Sequence, residues 1–166
     1  MSCSLRPVGR AQRARLERLT AATGLFRPDE VAIAVELLDA ALGGDEEYRF
    51  LGAYDGEHLV GYACWGPTPG TTGTYDLYWI VVDPARQGQG VGTQLLQAVE
   101  RDLMTGDARL VIVETSSRAD YGPTRAFYER RGYSRAAQIP GYYAAGDDLV
   151  IYLKDLTHGV VARATA

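Results

Sequence analysis

The chain has 166 residues, of which 46% are hydrophobic and 23% are charged, as in an ordinary globular domain. Its 21 acidic and 17 basic residues give a net charge of −4, which argues against nucleic-acid binding through a broad positive surface. No apolar run reaches the length of a membrane span, and arginines interrupt the N-terminal stretch where a signal peptide has its apolar core. Cys3 and Cys64 form neither a disulfide framework nor a metal-binding spacing. We therefore expect a cytoplasmic protein that requires no metal and acts on neither nucleic acid nor membranes.

The first third of the chain predicts one strand, two helices and a β-hairpin. Residues 4–8 are a short candidate strand, and residues 9–23 have inward leucines and outward charges at helical spacing. Residues 28–42 begin with a proline and two acidic residues, which suit the first turn of a helix. Strands over residues 48–54 and 59–65 predict a hairpin around an Asp-Gly turn, with a loop that is longer than minimal.

The remaining chain predicts a central strand, two further helices and three further strands. The predicted ranges are a strand over 75–83, a helix from the following glycine run to about 105, a strand over 108–115, a helix over 124–132, a strand over 133–139, a loop over 140–146 and a strand over 149–153. The resulting order is β-α-α-β-β-β-α-β-α-β-β. It predicts an α+β fold with a mixed central sheet of six to seven strands and about four helices, in which the strand over 108–115 lies parallel to or beside the central strand. We expect residues 1–156 to form one domain and residues 157–166 a flexible tail.

The glycine run after the central strand predicts an anion-binding turn. Gly88, Gly90 and Gly92 have no Cβ atoms, so the backbone can approach a ligand closely. A helix opens within the run, and its free N–H groups and positive dipole end favour a phosphate. Arg86 adds a positive charge beside the turn.

This glycine run has three interpretations. It is not a Walker loop, because no lysine follows the last glycine. A dinucleotide fingerprint fits poorly because the third glycine falls one residue early, although Glu114 lies about 20 residues on, where a ribose-binding acid would sit. The third interpretation is a glycine-rich connection that binds no ligand.

Two motifs give the chain a resemblance to a known family. Gln87-Gly-Gln-Gly90-Val-Gly92 matches the Q/R-x-x-G-x-G/A signature of the GNAT N-acyltransferase superfamily, and it lies between a strand and an amphipathic helix as in that family. The segment Thr124-Arg-Ala-Phe-Tyr128-Glu-Arg-Arg-Gly132-Tyr133 resembles the family's downstream F-Y-x-x-x-G-[FY] segment, about 40 residues later. The resemblance implies a sheet that splays beside the central strand and holds acyl-CoA in the opening.

The resemblance also implies which residues bind acetyl-CoA. Backbone groups of Ile80 and Val82 are expected to pair with the pantetheine arm, and Arg86 or Gln87 to close over the phosphates. Thr124 offers a hydroxyl where many relatives carry an asparagine, and Phe127 is equally suited to the core. The full set of expected donor contacts is Ile80, Val82, Arg86, Gln87, Gly88, Gln89, Gly90, Val91, Gly92, Thr93, Thr124 and Phe127.

Three residues are candidates for proton transfer. By resemblance, Tyr128 points at the sulfur of CoA and acts as a general acid. An alkyl amine has a pKa of about 10, so the reaction also needs a base. Strand alternation places Asp76 on one face of the central strand, and Glu114 ends the neighbouring strand, so either carboxylate could accept the proton. Each is equally consistent with an ordinary strand-end acid.

The sequence therefore predicts an acetyl-CoA-dependent N-acetyltransferase whose amine substrate attacks directly in a ternary complex, because no serine or cysteine nucleophile is well placed. The alternatives are a non-catalytic acyl-CoA-binding sensor or scaffold, a nicotinamide-binding fold, and O-acylation. The acceptor remains open among peptide N-termini, lysine side chains, amino acids, polyamines and antibiotics. Aromatic residues near the expected site edges, such as Trp65, Tyr75, Tyr142 and Tyr143, could line its pocket or pack on the sheet. A homodimer, for example through a sheet edge, is compatible with the sequence.

Overall fold

A computed structural model describes residues 3–157, which contain seven strands and four α-helices. Their bounds are β1 Ser4–Pro7, α1 Arg13–Ala22, α2 Pro28–Leu42, β2 Arg49–Asp55, β3 His58–Pro67, β4 Thr74–Val82, α3 Val91–Met104, β5 Leu110–Ser116, α4 Gly122–Glu129, β6 Ser134–Ala144 and β7 Asp147–Asp155. Short 3-10 turns lie at Arg10–Gln12, Pro84–Arg86 and Ala119–Tyr121. The predicted tail over residues 157–166 falls outside the described residues, apart from Thr157.

The strands are hydrogen-bonded in the order β1-β2-β3-β4-β5-β7-β6, which makes a mixed sheet. β4 and β5 run parallel, with Asp76 opposite Ile112, whereas the other described pairings are antiparallel. A parallel neighbour requires a crossover connection, and α3 provides it between β4 and β5. The predicted class, element order and placement of β5 beside the central strand are confirmed.

The described residues form two compact units, which are treated separately below. Residues 3–67 and 78–103 form the first unit, and residues 68–77 and 104–157 form the second, so β4 contributes to both. The prediction of one domain over residues 1–156 stays a prediction.

Helices α1 and α2 pack on the strands of the first unit because each has one apolar face. Pro28 opens α2 at a position where its missing N–H costs nothing, and Glu30 accepts a hydrogen bond from the backbone of Arg27 at 2.8 Å. The hydroxyls of Thr20 and Tyr62 meet at 2.7 Å inside this core, so each of these two buried groups has a hydrogen-bond partner. The cluster that joins helices and strands contains Val8, Leu16, Leu19, Val35, Leu38, Tyr54, Leu59, Tyr62 and Val81.

Helix α3 belongs to the same unit and lies close to β3. A Cβ added at Gly61 would meet the carbonyl oxygen of Val81 at 2.9 Å, Val91 at 3.2 Å and Leu95 at 3.4 Å. The glycine therefore allows the first turn of α3 to approach the strand closely. The buried face of the helix consists of Val91, Leu95, Leu96, Val99 and Leu103.

The second unit ends in a β6–β7 hairpin that is longer than predicted. The predicted loop over 140–146 is wrong, because β6 continues to Ala144 and only the turn before Asp147 is left. Pro140 interrupts the sequence pattern but is tolerated here, since β6 is an edge strand and the pairing is irregular between Ile139 and Ala144. The helix predicted over 124–132 corresponds to α4, which ends at Glu129, before the predicted end.

Candidate active site

The chain between β4 and α3 forms a tight turn, residues 87–92, referred to below as the glycine turn. β4 ends at Val82, and the carboxylate of Asp83 accepts a hydrogen bond from the N–H of Ala85 at 3.0 Å, which caps the short 3-10 turn. Gly88 and Gly90 then have φ values of 75° and 84°, which other residues adopt only with strain. The prediction that a helix begins inside the glycine run is confirmed, since α3 starts at Val91.

The glycine turn has the properties of a phosphate cradle. The N–H groups of Val91 and Gly92 lie in the first turn of α3 and have no acceptor within the helix, whereas that of Gln94 donates to the carbonyl of Gly90 at 3.0 Å. Cβ atoms built at Gly88 and Gly90 would meet no heavy atom within 4 Å. Backbone donors, a positive dipole end and open space therefore coincide, and the residues present fit a phosphate group.

The polar side chains of this turn bind backbone carbonyls. Gln87 donates from Nε2 to the carbonyl of Val82 at 3.4 Å, and Gln89 to that of Ala85 at 3.1 Å. Both contacts support the shape of the turn. The sequence alone did not reveal these two hydrogen bonds. Ile80 and Val82 are half-buried on β4, Thr93 lies half-buried in the first turn of α3, and Val91 is buried.

Arg86 has an acidic partner that sequence reasoning missed. Its guanidinium Nη2 donates to Oδ2 of Asp55, the last residue of β2. A second ion pair joins Arg15 of α1 to Asp83, with 2.6 Å between Nη2 and Oδ2. Asp55 was interpreted only as part of a hairpin turn, and the sequence contains no local signal for either pair, because the partners are far apart along the chain.

Tyr128 is the buried residue of α4 in the second unit, and its side chain is 5% exposed. The rings of Phe127 and Tyr133 meet it edge-on, with centroids at 5.2 and 5.4 Å, and that of Tyr152 stacks at 6.5 Å. Burial raises the pKa of the Tyr128 hydroxyl above its ordinary value, so this group keeps its proton at neutral pH. A protonated, rigidly held phenol can donate a hydrogen bond or a proton, but it cannot act as a base.

The neighbours of Tyr128 on α4 are held by Arg131 and Arg125. The Arg131 guanidinium lies 3.7 Å from the ring centroid of Phe127 and donates to the carbonyl of the same residue at 2.8 Å. Arg125 donates to the carbonyls of Ser116 and Arg118 at 2.6 and 2.9 Å, which ties α4 to the end of β5. Thr124 is half-buried in the first turn of the helix.

The structure brings the two candidate bases together. Asp76 is opposite Ile112 in the parallel pairing, and Glu114 is two residues further on, so both carboxylates lie on the same face of neighbouring strands. Asp76 accepts a hydrogen bond from the Thr68 hydroxyl at 2.8 Å. Although part of Glu114 is open to solvent, the protein around its carboxyl raises its pKa, and the negative charge of Asp76 raises it further.

Tyr143 faces the same group of charges from the β6–β7 hairpin. Although the Tyr143 side chain is partly open to solvent, the protein around its hydroxyl raises the pKa of this group, and the nearby charge of Glu114 raises it further. The Ser116 hydroxyl donates to Asp147, whose carboxylate also lies 3.9 Å from the Arg118 guanidinium. Sequence reasoning had noted Tyr143 only as an aromatic near the edge of the expected site, because its approach to Glu114 depends on the long β6 strand.

Within residues 3–157, no group of three or more histidine, cysteine or carboxylate residues has the arrangement of a metal site. Cys64 is fully buried, and burial raises the pKa of its thiol, so this side chain is unsuited to act as a nucleophile. None of the helices in this part of the chain is both long and apolar enough to cross a bilayer.

Comparison with known proteins agrees with the motifs. The model of the acetyltransferase (GNAT) family matches residues 15–133. A GNAT-family crystal structure from Desulfovibrio desulfuricans is 42% identical and has a TM-score of 0.88, covering 93% of this chain and 99% of that one. N-alpha-acetyltransferase RimI of Mycobacterium tuberculosis is 36% identical over 111 residues, which are 64% of this chain and 66% of that protein. S-(2-succino)cysteine N-acetyltransferase of Bacillus subtilis is 31% identical over 74 residues, 45% of each chain. The matches thus span less than two thirds of these two curated relatives.

Proposed function

The chain belongs to the acetyltransferase (GNAT) family, and from this premise we propose that it transfers an acetyl group from acetyl-CoA to a primary amine of a small molecule or peptide. The observation that carries the proposal is the glycine turn at the start of α3, where Gly88 and Gly90 have positive φ values and open space in front of them. Such a turn matches the pyrophosphate of CoA, and the family match covers it.

The donor would be held mainly by backbone groups of the first unit. In this proposal the N–H groups from Gln87 to Gly92 bind the phosphates, and the edge of β4 at Ile80 and Val82 offers hydrogen bonds to the amides of the pantetheine arm. Acetyl-CoA itself supplies an activated carbonyl with a thiolate leaving group. Phe127 and Thr124 are proposed as further donor contacts from α4.

Glu114 is proposed as the general base. The amine must lose a proton as its nitrogen attacks the thioester carbon, and a carboxylate with a raised pKa accepts that proton more readily than an ordinary glutamate does. Asp76 contributes by keeping the Glu114 pKa high, and it can attract the cationic amine before the proton is lost. In this scheme Asp76 acts on the reaction mainly through its neighbour.

Tyr128 is proposed to act on the leaving group. As the carbon–sulfur bond breaks, the electron pair stays on sulfur, and the neutral hydroxyl of Tyr128 donates to it. Because burial opposes formation of the phenolate, a hydrogen bond to the developing thiolate is favoured over complete proton transfer. The buried Cys64 supports direct attack by the amine rather than an acyl-enzyme.

The acceptor class is tested by a panel of primary amines. One relative is named an N-alpha-acetyltransferase and another an S-(2-succino)cysteine N-acetyltransferase, so the panel should contain peptides with different N-termini and free or S-substituted amino acids. The proposal predicts calorimetric binding of acetyl-CoA, no binding of NAD, and release of free thiol in the presence of at least one amine. A protein that binds neither acetyl-CoA nor CoA would refute the interpretation of the glycine turn.

A further inference from the structure

An ion pair lies at the entrance of the glycine turn, between Arg86 and Asp55. Arg86 ends the 3-10 turn that leads into residues 87–92, and Asp55 is the last residue of β2. Their side chains are 26% and 45% exposed, so solvent and ligands can reach both. The resemblance implied that Arg86 or Gln87 closes over the phosphates of the donor, whereas in the structure the Arg86 guanidinium binds a carboxylate.

The β2–β3 hairpin that carries Asp55 is fixed beside this turn. The N–H of Asp83 donates to the carbonyl of Val60 at 2.8 Å, which joins the end of β4 to β3. Arg15 donates from Nη2 to the Asp83 carboxylate at 2.6 Å and from Nε to the carbonyl of Leu59 at 3.1 Å. These contacts fix the backbone of the hairpin beside the glycine turn, and Asp55 reaches Arg86 from this fixed backbone.

We propose that Asp55 competes with the phosphates of CoA for the Arg86 guanidinium and thereby lowers the affinity of the glycine turn for CoA. This proposal rests on the proposed function. An incoming phosphate must share the Arg86 guanidinium with the Asp55 carboxylate or displace this carboxylate from it. The negative charge of Asp55 also repels the phosphate, and salt screens this repulsion only partly. Asp55 thus weakens retention of the CoA product after acetyl transfer.

The first experiment is a calorimetric titration of the whole protein with CoA at low salt. In Asp55→Asn the size of the side chain is kept but the charge is removed, so CoA should bind about three- to tenfold more tightly than to the wild type. Asp39→Asn is the matched control, since the Asp39 side chain is about as exposed as that of Asp55 and forms an ion pair with Arg13 at 2.8 Å in the same compact unit. CoA affinity should be unchanged in this control.

An Arg86→Gln background separates competition for Arg86 from simple removal of a negative charge, and high salt tests whether the gain is electrostatic. In an Arg86→Gln background, Asp55→Asn should give only a small part of its gain, because the contested cation is absent. High salt should also reduce the gain, since it screens the interaction between guanidinium and phosphate. A gain of the same size in both backgrounds, or one that is unaffected by salt, would overturn the proposal.

The proposal would equally be overturned if Asp55→Asn bound CoA as the wild type does, or more weakly. The latter result would mean that Asp55 orients Arg86 for the ligand. If the wild-type protein did not bind CoA at all, the proposed function itself would fail, so the two failures are distinguishable.

Discussion

Replacement of Gly88 by alanine tests the phosphate cradle against a closely matched control. Gly88 has a φ of 75°, and a Cβ at this position would meet no heavy atom within 4 Å. Gly70, in the loop between β3 and β4, has a φ of 74° and the same open surroundings. Alanine at either position therefore imposes the same backbone cost without a steric clash, and only Gly88 lies in the proposed cradle.

The stability change should be small and equal for the two variants. A left-handed conformation costs an alanine about 1–2 kcal/mol, and part of this is offset because alanine also restricts the unfolded chain by about 0.4–1 kcal/mol. We expect the free energy of unfolding to fall by about 1 kcal/mol in each variant, which lowers Tm by about 2–4 °C in a chain of this size.

The effect on CoA binding should differ. A methyl group at Gly88 would hold the phosphate away from the backbone donors, and loss of one charge-assisted hydrogen bond costs about 1.5–3 kcal/mol. The Kd for CoA should therefore rise about 10- to 100-fold in Gly88→Ala and stay within about twofold in Gly70→Ala. Thermal unfolding and calorimetric titration measure the two quantities. Equal CoA affinities in the two variants would refute the assignment of the glycine turn to phosphate binding.

The remaining predictions concern the reaction and the fold of the first unit. Tyr128→Phe should lower kcat about 10- to 100-fold and leave the Kd for acetyl-CoA unchanged, as measured by single-turnover and titration experiments; unchanged kcat would exclude the leaving-group role. Because its pKa is raised, Glu114 loses the basic form as pH falls through a value above the ordinary glutamate range, so the acid limb of kcat/KM should move to lower pH in Asp76→Asn and disappear in Glu114→Gln. A limb unaffected by both changes would assign the base elsewhere. Gly61→Ala should destabilise the protein by about 1–3 kcal/mol in urea unfolding, since the added methyl group meets a backbone oxygen at 2.9 Å; wild-type stability would show that α3 can shift freely.

Local chemistry in the sequence determined the features that were predicted correctly. The glycine run between an apolar strand and an amphipathic helix requires positive φ values and a free helix start, and Gly88 and Gly90 provide them. Apolar, β-branched runs predicted the strands, and the helix between β4 and β5 predicted that β5 lies parallel to or beside the central strand. These features depend on residues close to one another along the chain, so they can be recognised before the fold is known.

Features that depend on long-range register could not be predicted. Asp76 and Glu114 were each recognised as candidate bases, but their mutual effect follows from the alignment of β4 with β5. The pairing of Arg86 with Asp55 joins residues on different elements and leaves no trace in the local pattern. The length of β6 was not predicted, because an exposed edge strand need not alternate apolar and polar residues and need not use every backbone N–H in pairing. Pro140 was therefore interpreted as a loop residue.

The same edge strand bears on how the protein avoids aggregation. All eleven residues of β6 are exposed, and such a strand would ordinarily offer another polypeptide an open row of donors and acceptors. Pro140 lacks an N–H, and the charged Arg135 lies on the same strand, so the row is interrupted near its middle and carries a charge near one end. We expect a substitution that gave β6 an unbroken apolar edge to favour pairing of this edge with another chain.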